Sequence, residues 1–390
     1  MKYVDEFRDG ELARQLAQVI AAEVQPGREY RLMEFCGGHT HAIFRYGLPQ
    51  LLPASVRLIH GPGCPVCVLP IARLDMAMAL AQHPDVILCT YGDMLRVPGS
   101  GRTSLLKIRA EGRDVRMVYS PADCISLAQR YPDKQVVFFA IGFETTTPPT
   151  AVVIDQASRL GLTNLSVFCN HVLTPAAMHG ILATRDGDEA VAIDGFIGPA
   201  HVSTVIGSRP YEVFPQQYGK PVVIAGFEPL DVLQAILMLI RQLNEGRAEV
   251  ENEFTRAVTR DGNGRARQLV EQVFELRDRF EWRGLGFMAN SALQIREAYR
   301  ALDAEYRFAE WLQERRCSQG RPPQDNKACE CPQVLRGLKN PRDCKLFDNP
   351  CTPDNPLGSC MVSSEGACAA WYQYGRVLDP AARIVAVEAG

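Results

Sequence analysis

The placement of cysteine constrains this chain more than any other feature of its sequence. Of 13 cysteines, Cys36, Cys64, Cys67, Cys89, Cys124 and Cys169 come early, and a long cysteine-free stretch follows. Cys317, Cys329, Cys331, Cys344, Cys351, Cys360 and Cys368 then crowd together near the C-terminus. The late group sits in a Pro- and Asn-rich stretch with little apolar periodicity. Such a stretch buries little apolar area and needs another source of order. Metal ligation can supply it, because the free energy of ligation becomes free energy of folding. An odd cysteine count also speaks against a fully paired disulfide framework.

A chain of 390 residues suggests two or three domains. A net charge of -3 leaves no electrostatic footprint for nucleic acid, so no nucleic-acid partner is expected. Asp5, Glu6, Arg8 and Asp9 are wrong for a secretory signal. The apolar runs Val136 to Phe143 and Ala235 to Ile240 fall far short of the roughly 20 residues a spanning helix needs. No membrane partner is therefore expected, and the expected location is the cytoplasm. In that reducing compartment, dense cysteine points to metal binding or redox chemistry rather than structural disulfides.

Short apolar segments alternate with helical ones after an N-terminal helical segment, Glu6 to Glu23. Strands are expected at Tyr30 to Phe35, Val56 to His60, Val86 to Tyr91 and Val115 to Tyr119. Val68 to Gln82 reads as a helix, and Pro121 opens another. A second series follows: Val136 to Ile141, Leu165 to Cys169, Gly195 to Gly198 and Pro221 to Ala225. This alternation is the pattern of parallel sheets covered by helices. Gly142-Phe-Glu144 and Gly226-Phe-Glu228 echo one another, as two related α/β units would. Asp231 to Asn244, Arg265 to Phe280 and Ser291 to Phe308 carry apolar residues three and four apart and read as helices.

Four thiolates are what a cubane iron–sulfur cluster requires, and Cys344, Cys351, Cys360 and Cys368 offer them. Zinc also accepts four thiolates but usually in two tight knuckles; the wide, uneven gaps here favour a [4Fe-4S] cluster. Cys329-Glu-Cys331 could supply one of the four places. Cys64-Pro-Val-Cys67 lies between a strand and a helix, where helix N–H groups stabilise a thiolate. It reads as a redox dithiol, with half a zinc knuckle as the plainer alternative. Cys36 follows a strand end, the usual place of ligand sites in open α/β sheets. His39 and His41 alternate, so in extended backbone both would face one side, for metal binding or proton handling. Either could equally be an ordinary satisfied polar residue. Tyr91-Gly-Asp93-Met-Leu-Arg96, Gly142-Phe-Glu144-Thr-Thr146, Asn170-His171 and His201 would line a cleft if the two units face each other. For any single one of these, turn and capping chemistry is the plainer account.

Several of these motifs are long enough to compare. Cys36-Gly-Gly-His39-Thr-His41, Gly61-Pro-Gly-Cys64-Pro-Val-Cys67-Val-Leu-Pro70, Tyr91-Gly-Asp93-Met-Leu-Arg96-Val-Pro-Gly-Ser100 and Gly142-Phe-Glu144-Thr-Thr146 resemble the HypD family of hydrogenase maturation factors. So does Cys351-Thr-Pro, with Gly358-Ser-Cys360-Met-Val-Ser-Ser-Glu365-Gly-Ala-Cys368. The resemblance runs from about residue 30 to 375. It implies a scaffold on which iron acquires two cyanides and a carbon monoxide for [NiFe]-hydrogenase. A HypC-type small chaperone would share the iron, through one of its cysteines, with Cys36. A HypE-type partner would deliver the cyanide. The implied fold is two Rossmann-like parallel-sheet α/β domains facing a cleft, plus a mainly helical and irregular iron–sulfur domain. On this reading residues 1–29 are a helical segment packing with the C-terminal domain, 30–134 and 135–230 are the α/β domains, and 231–390 carries the cluster. The cluster would pass electrons to Cys64 and Cys67. Glu365 would orient or protonate groups near that dithiol, or simply be a helix-end carboxylate. An alternative function is a free-standing iron–sulfur/dithiol oxidoreductase, which leaves Cys36 and its histidines without a task.

Overall fold

Runs that are apolar without alternation form strands covered on both faces. The computed structural model describes residues 5–183, 191–319 and 322–375, with side chains 316–319 left aside. The Cys317 thiol and the outer ends of the expected 1–29 and 231–390 segments lie outside the described residues. The chain starts one sheet with β1 (Tyr30–Glu34) and β2 (Val56–His60), then leaves it. It builds a second sheet from β3 (Val86–Thr90), β4 (Val115–Met117), β5 (Gln135–Gly142) and β6 (Leu165–His171). It then returns to the first with β7 (Gly195–Pro199), β8 (Val222–Ala225) and β9 (Val250–Asn252). The orders are β2-β1-β7-β8-β9 and β4-β3-β5-β6. Every pairing within both sheets is parallel.

The α/β class with two Rossmann-like sheets stands, but a linear division at 134/135 does not follow the sheets. β3 and β4 pair with β5 and β6, while β1 and β2 join β7. The chain crosses between the sheets twice, which local periodicity cannot reveal. The two Gly-Phe-Glu segments also sit on strands that do not correspond, third in one sheet and fourth in the other.

The helix Gly10–Glu23 buries Ala13, Ala17 and Ile20 on the long helix Pro229–Glu245, which covers the first sheet. The expected Val68 to Gln82 helix divides into Pro65–Val68 and Ile71–Ala81, because Pro70 offers no N–H to continue the first. After Pro121 the helix begins at Asp123. The helix expected through Phe280 ends at Val273, and β10 (Phe274–Trp282) pairs antiparallel with β11 (Gly286–Ile295). Phe274, Phe280 and Trp282 are buried, and their even spacing suits a strand as well as a helix. Tertiary contact decides: Leu173 N donates to Ser291 O at 3.0 Å, and Val172 bridges Ala292, so the hairpin extends from the edge of β6.

Candidate functional site

In an open parallel sheet, ligands bind at the carboxyl ends of the strands where the strand order reverses. The first sheet reverses between β1 and β7, the second between β3 and β5. Both points open into one cleft of about 440 Å3. The first sheet brings Cys36 after β1, Gly63 and Pro65 after β2, and His201 after β7; the second brings Tyr91, Asp93 and Thr146. A third wall, Ser363 to Glu365, comes from the cysteine-rich segment. Arg96 ties that segment down, donating to Pro353 O at 3.3 Å and Val362 O at 3.2 Å.

Cys36 is the residue before the helix Gly37–Arg45. Its N–H donates to Glu34 Oε2 at 3.0 Å, and Gly37 N donates to Gly63 O at 3.2 Å. A Cβ on Gly63 would lie 2.5 Å from Cys36 N, so only glycine lets the disulfide-bearing loop approach this closely. Burial pushes the Cys36 thiol well up, and the charges of Glu365 and Glu34 add to it, outweighing the backbone N–H groups of Gly38 and His39. Glu365 stays open to solvent in the cleft. The protein packed around it, then Asp93 and Glu34, raise its carboxyl above the usual range. A bare thiolate is disfavoured here, whereas a cation would relieve thiolate and carboxylates together.

His39 and His41 lie within the helix Gly37–Arg45, so the expected shared face is replaced by two different ones. His39 is fully buried, with Nε2 2.9 Å from Ala225 O and 3.0 Å from Gly226 O. Nε2 therefore carries the proton. Its ring stacks on Phe227 at 4.7 Å, and His201 approaches Phe227 from the cleft at 3.9 Å. His41 points instead to Tyr374, Nε2 to OH 3.0 Å. Asn170 and His171 are buried away from the cleft: Asn170 Oδ1 accepts from Arg73 Nε at 2.5 Å, and His171 Nε2 meets Thr150 Oγ1 at 2.9 Å.

Cys64 and Cys67 are joined as a disulfide, with Cα atoms 5.2 Å apart. Cys64 caps the short helix Pro65–Val68, its sulfur accepting from Cys67 N at 3.2 Å. The Cys67 carbonyl accepts from Ser359 Oγ at 3.1 Å, so the disulfide helix touches the residue beside Cys360.

Among the late cysteines, Cys360 and Cys368 share hydrogen bonds with each other and with Cys331. Cys329 bonds Cys331. Cys351 accepts from Leu357 N at 3.4 Å and feels the charges of Cys329 and Cys331. Cys344 bonds the Glu330 carboxylate. Cys351, Cys360 and Cys368 thus gather with Cys331. Bonds from Cys331 and Cys368 lower the Cys360 thiol. Among the described residues, no three His, Cys, Asp or Glu side chains are already arranged to hold a metal ion. The donor set nonetheless fits a thiolate-held cluster: Cys331, Cys351, Cys360 and Cys368 are buried. Gly358 closes one side, where a Cβ would lie 2.7 Å from Cys331 Sγ and would also strike Cys329 Sγ.

Sequence reasoning missed two groups. Phe227 joins His39 and His201, a role visible only once β1, β7 and β8 are adjacent. Glu144 was noted only as part of a motif. It caps the neighbouring helix Thr174–Leu182, accepting from Thr174 N at 2.8 Å and Oγ1 at 2.9 Å. Burial raises its carboxyl to about 7.

The fold and site define a two-sheet α/β protein whose cleft joins a cysteine, a disulfide loop and a carboxylate beside a thiol-rich segment. A family model for HypD, described as the hydrogenase formation hypA family, matches residues 11–375. A hydrogenase maturation factor HypD of Azotobacter vinelandii is 73% identical over 377 residues, covering 96% of this chain and 97% of the relative. The hydrogenase expression/formation protein HupD of Azotobacter chroococcum is 72% identical, covering 98% and 100%. The HypD of Escherichia coli K12 is 45% identical, covering 96% and 98%. The chain belongs to the HypD family of hydrogenase maturation factors. No helix among the described residues is long and apolar enough to cross a membrane.

Proposed function

We propose that the cleft is where iron is fitted with cyanide and carbon monoxide during hydrogenase maturation, with Cys36 as this chain's thiolate ligand. The observation that carries the reading is the meeting of Cys36, the Cys64–Cys67 loop and Glu365 where both sheets reverse their strand order. Iron is the cargo, and its positive charge would draw the Cys36 thiol into its thiolate form. A small HypC-type chaperone would complete the thiolate pair, and a HypE-type partner would bring cyanide. Glu365, at the rim beside Cys36, is placed to exchange protons with incoming groups. His39 and Phe227 stack behind His201, a residue of the cleft lining.

Cys331, Cys351, Cys360 and Cys368 would hold a [4Fe-4S] cluster, with Cys329 and Cys344 as flanking thiols. When bound there, it would supply single electrons to the Cys64–Cys67 disulfide. Two electrons and two protons convert that disulfide to two thiols, and Ser359 keeps its helix against the Cys360 loop. The test is an infrared spectrum of the chain purified without oxygen, with its co-purifying chaperone, from cells competent in cyanide synthesis. Cyanide and carbon monoxide stretches that vanish in Cys36→Ala support the scaffold. Their absence from wild type with an intact cluster and bound chaperone favours the free-standing oxidoreductase. For the relay, Cys64→Ala is expected to abolish cluster-linked thiol formation; unchanged thiol formation and iron assembly would refute it.

A further inference from the structure

The turn between β10 and β11 carries a buried guanidinium whose donors are not all used. Arg283 is 6% exposed. Its Nε and Nη2 are buried without a hydrogen-bond partner. The nearest acid, Asp325, is half open to solvent, and its Oδ1 stands 3.4 Å from Nη2 outside hydrogen-bond geometry. A buried guanidinium with two idle N–H groups costs stability, because those donors lose water and gain nothing.

The backbone explains why the side chain is held in place. Arg283 N donates to Val68 O at 2.8 Å, on the helix that carries Cys67. The next residue, Gly284, has φ +83°, and a Cβ there would lie 3.0 Å from Pro332 Cα, immediately after Cys331. The turn is thus wedged between the disulfide helix and the cysteine segment. Arg283 lies within electrostatic reach of the Cys329 and Cys360 thiols. It also acts on Asp75, whose carboxylate is occupied by Ser100 N at 3.0 Å and Ser100 Oγ at 2.6 Å.

We infer that Arg283 is the positioning counter-charge of the iron–sulfur site, its idle N–H groups donating to cluster or thiolate sulfur. This rests on the cluster reading above and deepens it. A thiolate-held cluster is anionic and becomes more so on accepting an electron. Hydrogen bonds to its sulfurs and nearby charge are among the levers that set its potential. Arg283 therefore makes the cluster easier to reduce. The same residue touches the helix that carries the electron acceptor.

The test uses the full chain, reconstituted anaerobically with ferrous iron and sulfide, and a potentiometric titration followed by electron paramagnetic resonance. Arg283→Met removes charge and donors at similar length; Arg283→Lys keeps the charge without the planar fork. Circular dichroism checks folding. With Met, the equilibrium constant for one-electron reduction is expected to fall at least tenfold, about 59 mV per tenfold, and with Lys by less. Arg283→Gln, which keeps a donor without charge, decides the matter if Met does not fold. Equal midpoints, with equal iron per chain, in wild type and the neutral variant overturn the inference. A wild-type chain that takes up no cluster overturns the cluster reading itself, a separate result.

Discussion

The contact between Gly37 and Glu365 fixes how the cysteine-rich segment closes on Cys36, and Gly37→Ala tests it. A Cβ at position 37 would lie 2.9 Å from Glu365 Cγ, 2.9 Å from Oε2 and closer still to Cβ. Ordinary carbon contacts begin near 3.5 Å. The added methyl must therefore displace the Glu365 backbone, because Cβ cannot be rotated away. Overpacking of this kind costs about 1–3 kcal/mol. Gly264 is a fair control, since a Cβ there meets nothing within 4 Å. Urea unfolding of Gly37→Ala should show the loss and Gly264→Ala should not. Glu365→Gly removes all three opposing atoms, so in that background Gly37→Ala should cost little. A coupling of about 1–3 kcal/mol in the double-mutant cycle is expected. Strict additivity, or no loss in Gly37→Ala, would refute the argument that this contact seats the segment.

The remaining predictions concern buried charge. Glu144 titrates near 7 in the folded protein, against 4.5 ordinarily. The folded state thus holds its proton more tightly, and stability falls as pH rises from about 4.5 to 7. In Glu144→Gln that slope should flatten, as urea unfolding at a series of pH values would show; an unchanged slope would contradict the burial argument. Arg256 Nη2 donates to the buried Asp231 Oδ2 at 2.5 Å, and its guanidinium lies 4.0 Å from the Phe7 ring and 4.1 Å from that of Phe254. Arg256→Met should cost about 3 kcal/mol, since it strands a buried carboxylate. Part of that loss should return on acidification, because Glu253 beside it already titrates near 7. A variant as stable as wild type at pH 8 would show that Asp231 needs no partner. Iron content after reconstitution should fall in Cys331→Ser and persist in Cys344→Ser; the reverse would restore the ligand set expected from spacing alone.

Most of the candidate site was legible because its chemistry is written in short, local words. Cys36 and the Cys64–Cys67 pair stand in short motifs, and Glu365 in the motif that carries the family resemblance, so each could be named before the cleft that gathers them was seen. The strands were legible for a similar reason: a continuous apolar run such as Val136 to Ile141 has few alternatives to a covered strand. The hairpin Phe274–Trp282 and Gly286–Ile295 was misread because its apolar spacing fits two periods. The edge of β6 settled which one. His39 and His41 were misread because a Cys-Gly-Gly opening does not say whether extended backbone or helix follows.

What the sequence by itself determined was the inventory: parallel α/β units, strand-end thiols, and a C-terminal segment too polar to order itself by burial. Tertiary structure alone decided how that inventory is assembled. The chain leaves the first sheet after β2 and returns at β7, and only this return sets β1 against β7 and completes the strand reversal beside Cys36. It also set Cys331 beside Cys360, and brought Arg283 within electrostatic reach of Cys329 and Cys360. Local propensity and spacing act within a few residues. Which distant segments share a surface is set by the burial of whole sheets and helices, and no single segment records it.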